Sequence, residues 1–223
     1  MATLGRLVLD RFMTSSVRPA DEMANLLTHA AGFLLSLVAA VQLMQRVTSA
    51  SAAVKIACGV YSVSLLLVYG SSTLSHLFYD TQWRRRFRTL DQACIFLLIA
   101  GTYTPLGVIY LDHGWWRLLL IVMWVSAFAG VLRVVQVQDL SATDKVFFGL
   151  IGFLPVIAIA ELARQASTSL VVWIVAGGAC YCLGAIFLRL SARIRYSHAV
   201  WHLFVVAGSA CHYWAILLAV TSR

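Results

Sequence analysis

The chain is poor in charge. In 223 residues it carries seventeen Lys and Arg and nine Asp and Glu, 12% charged in all, against 61% apolar residues. A soluble domain carries about 25% charged residues, so this composition excludes an ordinary soluble globular protein and leaves bilayer-embedded sequence. Acidic residues are the scarcer sign, and an excess of Lys and Arg can indicate nucleic acid. Here the basic residues sit in short runs between apolar stretches, with no basic amphipathic face and no nucleic-acid motif, which is the distribution of membrane topology signals. Cysteine is sparse and odd in number: Cys58, Cys94, Cys180, Cys182 and Cys211 all lie inside apolar stretches. That argues against a disulfide framework. Cys94 and Cys211 are thinkable as soft metal ligands, but free cysteine commonly packs as a small buried hydrophobe. A signal peptide is not expected, because Leu7 to Leu9 is too short an apolar run and no small-residue cleavage site follows. Leu4, Leu7, Val8 and Phe12, with Arg6 and Arg11, suggest at most an interfacial turn or two.

What the sequence has in abundance is long apolar runs. Seven are counted, at Leu26 to Met44, Ile56 to Phe78, Ala93 to Leu111, Leu118 to Val135, Val146 to Ala160, Leu170 to Leu188 and Ala199 to Val220. Each approaches the roughly 20 residues that a helix needs to cross the hydrocarbon core, the fifth being the shortest. The expected fold is an all-α bundle of seven transmembrane helices in one domain, 1–223, with residues 1–22 as an N-terminal arm. Pro105 and Pro155 fall inside the third and fifth runs, where they should kink a helix and free carbonyls for neighbours to satisfy. Trp83, Tyr110, Trp115 and Trp116 flank spans as interfacial anchors do. Counting Lys and Arg on alternate sides gives twelve against five. The richer side holds Arg84, Arg85, Arg86 and Arg88, and the positive-inside rule makes it cytoplasmic. The N-terminus is then inside and the C-terminus outside. The run Trp83 to Arg88 is a topology determinant first, with an anionic-lipid contact as a further option.

Ionisable side chains within membrane spans are costly and ask for a reason. Ser72 and His76 stand at i and i+4 near the end of the second span, Asp91 opens the third, and His198 and His202 stand at i and i+4 at the start of the seventh. Residues four apart share a helix face with Cβ atoms about 6 Å apart, so HAVWH can offer two imidazoles to one ion. Alternation of sides then puts His76, Asp91, His198 and His202 at one depth, near the cytoplasmic leaflet. Three neutral imidazoles on tetrahedral Zn2+ leave a fourth position open, the pattern of a catalytic site. A water there would have its pKa lowered towards about 7. Asp91 would hold that water or take its proton, and Ser72 would bond the water, Asp91 or a developing oxyanion. The competing reading makes these residues pore-lining or helix-packing polar groups that satisfy one another, with Ser72 bonded back to its own helix. Glu22, Asn25 and His29 share one face at the start of the first span, with Asp21 a candidate N-cap. They either close the site from the side or cap the helix and face headgroups. His212 lies about 15 Å deeper than His202 by helical rise and reads as a buried hydrogen-bonding histidine. His113 reads as a loop residue on the far side, and Glu161 with Arg164 as a solvated pair at a helix end.

Five stretches, DEMANLLTHAAG at 21–32, SSTLSH at 71–76, LDQACIFLLIAGTYTP at 90–105, GGACYCLGAIF at 177–187 and HAVWHLFVVAGSACH at 198–212, carry a resemblance. The chain resembles the bacterial hemolysin III proteins, within the wider group of progestin and adipoQ receptors. The resemblance implies a multi-pass protein of the bacterial cytoplasmic membrane, inverted relative to G-protein-coupled receptors, with a zinc site near the cytoplasmic face. It places the ligands at His76, His198 and His202, with Asp91 holding the water and Ser72 nearby, and sets the chain near membrane hydrolases that include alkaline ceramidases. One departure is Gln92, where the resemblance puts histidine; this touches an outer role and not the ligands. The expected function is therefore a zinc-dependent hydrolase of a lipid amide or ester. The alternatives are a non-catalytic sensor of membrane lipid state, with the metal structural, or a channel or cytolysin. Membrane lipids are the expected substrate or ligand, with no nucleic acid and no protein partner, and the oligomeric state is open.

Overall fold

A computed structural model describes residues 19–78, 81–137 and 142–222. Residues 4–12 of the arm, Arg18 and Arg223 lie outside that range. Among the described residues every regular element is helical: α1 Pro19–Arg46, α2 Ala52–Leu77, α3 Thr81–Tyr110, α4 Trp116–Val137, α5 Ala142–Phe153, a 3-10 segment Leu154–Ala158, α6 Ile159–Gln165, α7 Thr168–Leu190 and α8 Ser197–Thr221. Six of them, α1 to α4, α7 and α8, are long and apolar enough to cross a membrane.

The fifth expected span is the exception. Pro155 has no N–H to continue an α-ladder and clashes with the turn before it, and here α5 stops at Phe153 and a 3-10 segment begins with Pro155 at its start. The 12 residues of α5 reach about 18 Å at 1.5 Å per residue, short of the roughly 30 Å hydrocarbon core. Pro105 behaves differently, since α3 runs through it to Tyr110 and the proline is buried against neighbouring helices.

The bundle is apolar outside and partly polar inside, the reverse of a soluble protein. Leu34, Val125 and Leu150 are 64%, 63% and 64% exposed, as side chains facing lipid tails are. The protein is a multi-pass membrane protein. Inside, α2 alone buries Ser62, Ser64, Ser71, Ser72 and Ser75. Four of these return their hydroxyls to carbonyls of the preceding turn: Ser62 to Cys58 O at 2.8 Å, Ser64 to Tyr61 O at 2.7 Å, Ser71 to Leu67 O at 2.6 Å and Ser75 to Ser72 O at 2.8 Å. All five cysteines are free.

Close helix approach fixes the positions that matter for the site. Association in lipid relies on packing between small residues, and α7 and α8 pack with glycine against aromatic rings. A Cβ on Gly208 would lie 2.6 Å from the Tyr181 ring, one on Gly184 would lie 2.7 Å from the Trp201 ring, and one on Gly177 would enter the imidazole of His212. That imidazole donates from Nδ1 to Gly208 O at 2.8 Å and stacks on Tyr181, the buried hydrogen-bonded role its depth predicts. On the far side Arg164 meets Glu161 at 3.2 Å as expected, and His113 lies in the loop after α3, 2.8 Å from the Gln165 side chain.

A candidate metal centre at one end of the bundle

Four helix ends meet at one end of the bundle: the start of α1, the end of α2, the start of α3 and the start of α8. The short link from α7 leads into α8 through Tyr196, which adopts φ 57, the left-handed region that non-glycine residues seldom enter. Arg195 packs on its side chain, with its guanidinium 4.8 Å from the ring centroid and a donor 2.9 Å from the Tyr196 hydroxyl. The same Arg195 meets Asp21 of α1 at 3.3 Å. Asp21 is thus in the first turn of α1, tied to the entry of α8, and not at the helix cap.

From this start α8 projects His198 and His202 towards α2. Their ring centroids are 4.5 Å apart, and both lie close to His76, at 5.4 Å and 5.2 Å. The donor atoms of the three imidazoles all fall within 4.8 Å of one another. This is a cluster that can hold a metal ion, and among the described residues it is the group of His, Cys, Asp and Glu with that geometry. Cys94 and Cys211 are not part of it.

Helix α1 decides which nitrogen each ring presents. His76 Nδ1 is 2.7 Å from Glu22 Oε2, and a carboxylate accepts, so Nδ1 carries the proton and Nε2 is left with its lone pair. Nδ1 of His202 lies 3.2 Å from the carbonyl of Asn25 and 3.1 Å from the Thr28 hydroxyl. A carbonyl also accepts, so Nδ1 of His202 donates and its Nε2 is free in turn. The donor chemistry therefore fits a borderline cation taking imidazole nitrogens, with outer partners of the kind that orient metal-ligating histidines. Glu22 is itself held by Arg84, whose Nη2 donates to Oε1 at 2.6 Å.

From sequence, Glu22 is undecided between closing the site and capping the helix towards headgroups, Arg84 belongs to a topology-setting run with an anionic-lipid contact as a further option, and Thr28 carries no role. The available signal was the polar face Glu22, Asn25, Thr28 and His29 on one side of a membrane helix. Glu22→Ala should weaken the binding of a divalent cation such as Zn2+ offered to this cluster by about 10–100-fold, the usual effect of losing an outer partner. Glu22→Gln should lose less, because its amide oxygen still accepts from Nδ1–H. Competition titration against a chromophoric chelator in detergent measures both, and equal affinities in all three proteins would contradict the assignment.

Ser72 lies beside this cluster. Ser72 is one turn before His76 on the same face of α2 and is fully buried. Unlike the four serines around it, its hydroxyl makes no formed hydrogen bond within the protein. The Asp91 carboxylate of α3 is close enough to interact with it. Buried polar atoms are normally paired, yet this end of the bundle also leaves Asn25 Oδ1, Gln92 Oε1 and both ring nitrogens of His29 without protein partners.

The family model described as Haemolysin-III related matches residues 17–213. The chain belongs to that family. The match takes in Glu22, Ser72, His76, Asp91, His198 and His202. Among its relatives, Hemolysin-3 of Bacillus cereus is 35% identical over 212 residues, covering 93% of this chain and 94% of the relative. The Hemolysin-3 homolog of Bacillus subtilis (strain 168) is 32% identical over 199 residues, with 88% and 93% covered. Animal proteins are similar at greater distance: the Adiponectin receptor protein of Drosophila melanogaster is 25% identical over 231 residues, which covers 91% of this chain and 51% of that protein. The haemolysin-III resemblance read from five short stretches thus extends over nearly the whole chain.

Proposed function

We propose that this haemolysin-III-family protein is a zinc-dependent hydrolase of a lipid amide or ester, embedded in the bacterial cytoplasmic membrane and taking its substrate laterally from the bilayer. The observation that carries the reading is the convergence of His76, His198 and His202, one helical turn from a buried Ser72 hydroxyl that has no partner in the protein, with the Asp91 carboxylate in reach of that serine. Three imidazoles and no thiolate suit Zn2+ with an open position. When bound, such an ion supplies Lewis acidity and an activated water at neutral pH. Asp91 takes or holds a proton at its carboxylate oxygen, Ser72 steadies that carboxylate or the substrate oxygen, and α1 keeps the His76 and His202 rings turned with Nε2 inward.

The orientation is part of the same proposal. The chain crosses seven times, with α5, the 3-10 segment and α6 forming one broken passage. In support, α4 returns from the far end to the end that holds the histidines, and Gln165 at the close of α6 is 2.8 Å from His113 in the far-side loop. With the arginine-rich turns inside, the N-terminus is cytoplasmic, the C-terminus is outside, and the zinc site lies under the inner headgroups.

The test is turnover. Purified zinc-loaded protein offered ceramides, other N-acyl amides and phospholipids should hydrolyse at least one class. Chelation should bring the rate down to that of His202→Ala protein, and added zinc should restore it. Protein that contains stoichiometric zinc yet turns over nothing in the panel faster than His202→Ala would end the catalytic reading.

A further inference from the structure

His29 is a fourth imidazole at this site with no assigned task. It sits on α1, is 4% exposed, and neither of its ring nitrogens has a hydrogen-bond partner in the protein. Its ring lies face to face on that of His202, with centroids 3.5 Å apart and planes 19° from parallel, and meets Tyr69 edge-on at 5.2 Å. Gly32, one turn further along α1, lets that tyrosine approach, since a Cβ there would be 2.8 Å from its ring.

The stack settles what His29 does not do. An imidazole binds a metal through an in-plane lone pair at about 2.0–2.1 Å, so the ion lies near the plane of every ring that holds it. Two nearly parallel planes a ring thickness apart have no such common point close to both. While the stack stands, an ion on His202 is not also on His29. His29 therefore stands one ring layer from His202 of the cluster with both of its nitrogens unpaired. Other buried polar atoms at this end of the bundle are unpaired as well, Asn25 Oδ1 one turn earlier on the same helix and the Ser72 hydroxyl. A buried imidazole with two idle nitrogens is explained if its partner arrives with the ligand.

Building on the zinc site proposed above, we propose that His29 is the hydrogen-bonding wall of the open metal position: a non-ligating imidazole that bonds whichever oxygen- or nitrogen-bearing group the ion takes as its exogenous ligand.

The experiment uses the full-length protein loaded with Co2+, whose visible spectrum reports coordination, and azide as the exogenous probe. His29→Phe keeps a flat ring for the stack and removes both nitrogens. It should bind Co2+ with wild-type stoichiometry while its azide affinity falls on the order of tenfold or more, comparable to loss of an outer-shell partner. His29→Gln, which keeps a donor and an acceptor, should fall between. Loss of Co2+ from His29→Phe, or unchanged azide binding in it, would overturn the inference and leave the zinc site intact. Wild-type protein that binds no Co2+ would overturn the zinc site itself. One measurement needs no variant: the electron spin-echo spectrum of Cu2+-loaded wild type should count three coordinated imidazoles, and a fourth would make His29 a ligand and refute its role as a wall.

Discussion

With zinc held as proposed, replacing His202 by alanine should strip the protein of it. His202 is the most deeply buried of the three imidazoles, at 1% exposure, and the one held on every side: its Nδ1 is bonded to Asn25 and Thr28 of α1, one face is stacked on His29, and His76 and His198 stand at its edge. Its loss leaves two imidazoles, one each from α2 and α8, and removes the piece of α8 that α1 orients. The drop in affinity should exceed the roughly 10–100-fold typical of losing an outer-shell partner, so zinc measured by mass spectrometry of purified protein should fall to background. His212→Ala is the matched control. It removes a histidine from the same helix, about 15 Å further along by helical rise, and should keep its zinc although it breaks the bond to Gly208. Equal zinc in His202→Ala and wild type would show that the imidazole cluster is packing alone.

Asp91→Asn separates catalysis from metal binding. The substitution keeps the volume and one acceptor oxygen but removes the group that can accept a proton, so zinc content should stay at the wild-type level. General acid–base groups contribute about 10²–10⁴-fold, and turnover should fall within that range. Ser72→Ala should fall less, since the serine acts through hydrogen bonds alone. Kinetics on the lipid class found active, with zinc measured on the same samples, checks both variants. Zinc retained together with unchanged turnover in Asp91→Asn would remove the carboxylate from the chemistry and favour a sensor in which the metal is structural.

Much of the fold was legible because bilayer burial writes itself as uninterrupted apolar runs. The second run, Ile56 to Phe78, corresponds to a helix over Ala52–Leu77, and the seventh, Ala199 to Val220, to one over Ser197–Thr221. What apolar runs do not reveal is helix that continues into the headgroup layer. Arg84 to Arg88 lie between the apolar runs, yet these residues are helical turns of α3, which begins at Thr81, and α1 begins at Pro19, ahead of both the apolar run at Leu26 and the Glu22 start that an Asp21 cap implies. These polar turns are where Glu22 and Arg84 meet. In the fifth run composition and continuity part company: it is apolar enough for a span, while Pro155, the expected kink, divides it into α5, a 3-10 segment and α6.

The candidate site was legible in depth and not in the plane of the membrane. Counting passages brought His76 level with His198 and His202, and spacing put the last two on one face. Neither could place α2 beside α8, a matter of lateral packing that depends on contacts such as Tyr69 with Ser209 at 2.8 Å and Gly32 under Tyr69. Nor could spacing separate Ser72 from its neighbours, because the distinction is an unmade hydrogen bond and not a residue type. His29 was seen only as one member of a polar helix face, and its stack on His202 depends on how α1 docks against α8.

Three imidazoles from α2 and α8 sharing one cation are the central claim, and zinc K-edge absorption on the purified wild-type protein examines it directly. The expected result is about one zinc per chain with three imidazole nitrogens and one further light atom at about 2.0–2.1 Å. A sulfur shell, fewer than three imidazoles, or protein free of zinc after loading would contradict it.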